Sequence, residues 1–140
     1  MTEQKQETCA DKVTSNLAGR IEDLRKFWDI YNDPDATESD QEEFLNYGLS
    51  FDYVPYGTFE DQEGGYFRYQ ISWGGPGEEF RFYADPQFHC YRIEYWFLDW
   101  GDGAHIVLEG NIASLLGKIW DFFYEGGSVQ AEFDKATQES

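Results

Sequence analysis

Near Phe51 the apolar residues of this chain change their spacing from three or four to two, and that change divides what it can fold into. Before it, Val13, Leu17, Ile21, Leu24, Phe27, Trp28 and Tyr31 fall on one face of an amphipathic helix predicted over Cys9 to Tyr31. The helix should stop at "NDPD", because the residue before Pro34 is pushed out of helical geometry. In "ESDQEEFLNYGL", Ser39 is the expected N-cap and Glu42, three residues on, completes a capping box. A short helix over Asp40 to Tyr47 follows, with Gly48 as its stop.

After the change, "FDYVPYG" reads as an edge strand, since Pro55 removes a ladder donor. Phe67, Tyr69, Ile71 and Trp73 alternate with Tyr66, Arg68, Gln70 and Ser72, the pattern of a strand with one buried face. "GGPG" at 74–77 is a turn, "EEFRFYA" a strand, "DPQ" a turn, and "CYRIEYWFLDW" the longest strand, expected at the centre with Ile93, Tyr95 and Phe97 under the helices. "AHIVLE" is a last strand. A closing helix then buries Ile112, Leu115, Leu116, Ile119, Trp120 and Phe123. The expected fold is α+β: an antiparallel meander of four to five strands, with an N-terminal helix, a short second helix and a C-terminal helix on one face and the other face partly open. The chain reads as a single domain over 1–140, with an ordered core at about 9–125 and frayed ends at 1–8 and 126–140, although Val129 and Phe133 are placed to dock.

Charge narrows the function. The chain carries 28 acids against 10 bases, a net −18. That charge repels nucleic acid and anionic membranes over a Debye length of roughly 10 Å, so the expected partner is basic, with no direct contact to nucleic acid or membrane. The acids are also concentrated. Between Phe27 and Phe67 there is no Lys or Arg, and the acids include Asp33, Asp35, Glu38, Asp40, Glu42, Glu43, Asp52, Glu60, Asp61 and Glu63. These ten are the candidate partner-binding surface. High aromatic content, 19%, speaks against disorder as the reason for the acidity. Cys9 and Cys90 are far apart and form no CxxC pair, and no stretch reaches the ~18 apolar residues of a membrane span, so reduced thiols and a cytoplasmic location are expected.

Chemical motifs are few. Asp33 and Asp35 fit the first and third places of an EF-hand loop, but Glu38 stands where the turn needs Gly, and Phe44 where a bidentate Glu is required. In "LDWGDGAH", Asp99, Asp102 and His105, with Glu94 before them, offer a metal set or acid/base pair, against the simpler reading of a glycine-rich turn. His89 and Cys90 are neighbours on a strand and point to opposite faces. Arg68, Arg81 and Arg92 stand on three different strands, forming either an anion patch or, more simply, pairs with acids such as Glu79 and Glu94. No catalytic residue, metal site or cofactor is assigned, and a non-enzymatic protein is expected.

The segment "ISWGGPGEEFRFYADPQFHCYRIEYWFLDWGDGAH" resembles small proteins carried by conjugative plasmids and related mobile elements, and in size and acidity the chain is similar to DNA-mimic antirestriction and anti-CRISPR proteins. The resemblance implies an inhibitor of host defence that works by binding, its carboxylates standing in for phosphates in a basic groove. Two other classes stay open: an acidic accessory or immunity-type module that mimics no DNA, and a small metal-dependent enzyme centred on Glu94, Asp99, Asp102 and His105.

Overall fold

A computed structural model describes residues 8–60, 62–99 and 101–138. Helix α1, Cys9–Tyr31, begins where the spacing predicts, with Thr8 as N-cap in a capping box with Asp11, and ends at Asn32. Helix α2 spans Glu38–Leu45. Its cap is Thr37 and its capping-box partner is Asp40, not the expected Ser39 and Glu42. Both four-residue stretches, 37–40 and 39–42, carry the signature. The turn at Asp33, whose carbonyl accepts the N–H of Ala36, delivers the chain to the helix at the earlier of the two.

Five strands follow, β1 (Ser50–Val54), β2 (Tyr66–Ser72), β3 (Gly77–Ala84), β4 (Cys90–Asp99) and β5 (Asp102–Val107), in one antiparallel sheet ordered as in the sequence. The central strand is therefore β3, and β4 lies one place from the edge, because only β5 pairs beyond it. Ile93, Tyr95 and Phe97 of β4 are nonetheless buried as expected. β1 is an edge strand, and Pro55 follows it directly. The alternation on β2 does not extend to Trp73. The register shifts between Gln70 and Ser72, β2 ends there, and Trp73 is 64% exposed.

Helix α3 (Gly110–Glu125) and helix α4 (Ser128–Thr137) complete the chain. Residues 128–137, expected to fray, are thus helical: Val129 is fully buried, and the Phe133 ring lies 5.0 Å from Tyr53 and 5.4 Å from Phe88. The expectation for 1–7 and 139–140 lies outside the described residues. α1 packs across β4 and β5, α4 against β1, and α3 sets Trp120 against Phe67 and Phe82 on the same face of the sheet. Leu24, Phe80, Phe82, Tyr95, Leu116 and Ile119 are at zero exposure in this layer, and burying each contributes about 1.5–3 kcal/mol. Among the described residues no helix is long and apolar enough to cross a membrane.

Candidate functional site

The acidic run forms the corner between α1 and α2. Asp33 Oδ1 accepts the N–H of Asp35 at 2.9 Å, closing an Asx turn before Pro34, and Asp40 Oδ2 accepts the N–H of Thr37 at 3.0 Å in the capping box. These two acids therefore have local structural work, and Asp40 and Glu38 also gain from the N-terminal end of the helix dipole. Asp35, Glu38, Glu42 and Glu43 are exposed. None of the six forms an ion pair among the described residues. The corner is rigidly held. Phe44 is 2% exposed and sits 5.2 Å from both Trp28 and Tyr31 of α1 and 5.4 Å from Phe122 of α3. Eight residues at 1.5 Å rise give a charged helix about 12 Å long.

The remaining candidates separate from that corner. Asp52 takes two hydrogen bonds from Arg68, 3.0 Å from Nε and 2.7 Å from Nη2. Glu63 accepts from Arg92 Nη2 at 2.7 Å, and that hydrogen bond, with the Arg92 charge, holds its carboxyl below the ordinary range. An interval without bases in the sequence thus meets bases in space, because the sheet brings β2 and β4 arginines beside it. Glu60 is exposed in the β1–β2 connection, and the length of β1, about 13 Å, separates that connection from α2. Asp61 lies outside the described residues. Among the described residues the acids do not form one continuous surface: those without a cation are the six of the α1–α2 corner and, apart from them, Glu60.

The open face of the sheet answers the question of the arginines. Arg81 donates from Nε to Glu79 at 2.7 Å, and its guanidinium lies 3.8 Å from the Trp96 ring centre and 4.5 Å from that of Tyr66. Arg92 stacks 4.2 Å over Tyr83, with Nε 3.2 Å from Glu94 Oε2 in an ion pair that lacks hydrogen-bond geometry. Glu94 Oε1 accepts from Tyr83 and from Trp96 Nε1 at 3.2 and 2.9 Å. Each guanidinium is neutralised, Arg81 is sandwiched by two rings and Arg92 lies on one, so this is a paired lattice and not an anion patch. It leaves Tyr66, Gln70, Glu79, Tyr83 and Glu94 buried without a helix above them.

The second candidate set comes together only in part, with Asp99 and Asp102 as cross-strand partners at the β4–β5 end. His105 stacks on Trp96 at 4.3 Å, Glu94 belongs to the lattice, and Asp102 accepts the N–H of Cys9 at 3.0 Å and of Gly103 at 2.9 Å, which ties the start of α1 to the β4–β5 turn. Burial pushes the Cys90 thiol up to about 12, and the His89 ring contacts Asp85 at 3.2 Å. Among the described residues no group of three or more His, Cys, Asp or Glu is arranged to hold a metal.

One feature was not read from the sequence: a groove of about 710 Å³ on the open face, walled by Trp73 and Leu98 and floored by Arg68, Gln70 and Glu79. Its signal was present. "WGGPG" and "GDG" lie at the β2–β3 and β4–β5 hairpins, and a meander puts alternate turns at the same end of the sheet. Compared with known proteins, the chain matches no family model, no curated protein and no solved structure.

Proposed function

We propose that this protein is a non-enzymatic acidic inhibitor of the mobile-element type, which binds the basic nucleic-acid-binding surface of a host defence protein in the cytoplasm. One observation carries the reading. Of the five arginines, the four that lie against the sheet, Arg20, Arg68, Arg81 and Arg92, are committed to carboxylates, and Arg25 of α1 forms no ion pair among the described residues, so the six acids of the α1–α2 corner face solvent or turn amides without a cation. The surplus charge is displayed on a corner fixed by Phe44. Such a surface suits a groove built for phosphates, and solubility alone rarely needs a net charge of this size. The experiment is capture of a partner from bacterial lysate on the immobilised protein, followed by elution with duplex DNA. Release by DNA at constant ionic strength supports the reading, and retention in its presence contradicts it.

A second reading has its own observation. Leu45 and Leu49 are 52% and 50% exposed beside the acids of α2, and a phosphate mimic has no use for apolar groups there. They favour an acidic module that covers a mixed basic and apolar patch without imitating DNA. DNA would then fail to displace the partner.

A further inference from the structure

The groove at the glycine-rich end of the open face continues a pattern that the sheet already uses. Arg81 lies between the rings of Trp96 and Tyr66 with Glu79 at its Nε, and Arg92 lies on Tyr83 with Glu63 and Glu94 as its acids. In both cases an aromatic ring offers its face and a carboxylate meets the guanidinium edge. The groove presents the same two elements again. Trp73 forms a wall with 64% of its surface exposed, and Glu79, only 3% exposed, forms part of the floor. Glu79 Oε2 holds Arg81, while Oε1 accepts no hydrogen bond among the described residues.

One neighbouring group adds an acceptor. The Gln70 amide nitrogen is fixed by the carbonyls of Ser72 and Glu78 at 2.7 and 3.2 Å, which leaves its carbonyl oxygen as an acceptor. Arg68 is already held twice by Asp52. Gly75 and Gly101, at φ of 65° and 78°, form part of the rim, and a Cβ at either would meet nothing within 4 Å, so the approach is open. A cavity of this volume is in the range of small-group binding sites. Ring face and free carboxylate oxygen together select a planar cation.

We propose that this groove binds a guanidinium group, supplied by an arginine side chain of a basic protein partner that stacks on Trp73 and donates to Glu79. In naming the source of that arginine the proposal rests on the function proposed above, whereas the affinity for guanidinium does not involve the acidic run. The test is a nuclear magnetic resonance titration of the full chain with acetyl-Gly-Arg-Gly-amide, followed at the indole N–H of Trp73. The arginine peptide should shift that signal saturably. The same peptide with citrulline should bind about tenfold more weakly, the loss expected for one charge-assisted hydrogen bond. Trp73→Ala, followed at the groove backbone amides, should weaken the arginine peptide about fivefold, the size of an exposed cation–π contact. Glu79→Gln should weaken it further. Trp73→Ala alters an exposed side chain, so the result does not depend on whether Glu79→Gln folds. Neutralising the six acids of the α1–α2 corner should leave this titration unchanged even if partner binding is lost. Equal binding of the arginine and citrulline peptides, or shifts confined to α2, would overturn the proposal. So would loss of the Trp73 shift in the six-acid variant, or an equal response of Trp73 to a neutral sugar.

Discussion

Arg20 on α1 holds Glu78 on β3 through two hydrogen bonds, 2.9 Å from Nε and 2.6 Å from Nη2, with the Glu78 side chain only 4% exposed. Tyr95 of β4 donates to the same carboxylate at 2.5 Å, and Arg20 Nη1 donates to the Tyr47 hydroxyl at 3.2 Å, which in turn donates to Asp23. One guanidinium thus joins the first helix, the segment after α2 and two strands. It fixes how the acidic corner sits on the sheet.

Removing Arg20 strands a buried carboxylate. Arg20→Ala should destabilise the protein by about 3 kcal/mol, the low end for breaking a buried pair, since Arg20 itself keeps 29% of its side chain in solvent. Replacing both partners, Arg20→Met with Glu78→Leu, should cost far less than the single change. Urea unfolding of the three proteins measures the difference, and equal losses for the single and double variants would show that the pair carries no special cost when broken.

Acid should unfold the protein through the same group. Burial, the largest influence on Glu78, would raise its carboxyl, but the hydrogen bonds from Arg20 and Tyr95 and the Arg20 charge outweigh it and hold it below the ordinary 4.5. Asp102 is held low by the N–H and thiol of Cys9, and Asp11 by Thr8. A lowered folded value means stability that is complete above the unfolded value and lost as pH falls through the folded one. Stability should therefore drop below about pH 4, with a shallower acid limb in Glu78→Gln. At pH 7, by contrast, added salt should raise the melting temperature, because exposed like charges are screened more than the buried pair.

Truncation after Gly126 should lower the melting temperature by several degrees, about what 1–2 kcal/mol produces in a domain of this size, because it uncovers Tyr53 and Phe88, which Phe133 packs against. Scanning calorimetry of the truncated chain decides it. An unchanged transition would mean that α4 contributes nothing to the fold.

That helix also shows where the sequence stops being legible. α1 and α3 carry enough apolar residues at helical spacing to be read alone, and the strands announce themselves by alternation. α4 has two anchors, Val129 and Phe133, behind Gly126 and Gly127, and it forms because remote residues of β1 and of the turn before β4 receive Phe133. The site divides for the same reason. Asp33 to Glu43 were legible as a local run, while the loss of Asp52 and Glu63 to arginines depended on register and loop placement, which no local pattern encodes. Trp73 was expected inside because a bulge of one residue cannot be seen in an alternation.

The most direct test of the inhibitor reading is a binding titration of the captured partner against a variant in which Asp33, Asp35, Glu38, Asp40, Glu42 and Glu43 are neutralised together, across salt concentrations and with duplex DNA as competitor. Each carboxylate replaces one phosphate contact among many, so Asp35→Asn alone should cost little. The six-fold variant should remain folded, apart from weakening at the start of α2, lose binding, and flatten the salt dependence that the native protein shows. DNA should displace the native protein. Undiminished binding by the six-fold variant, or a native complex that DNA leaves intact, would contradict the account.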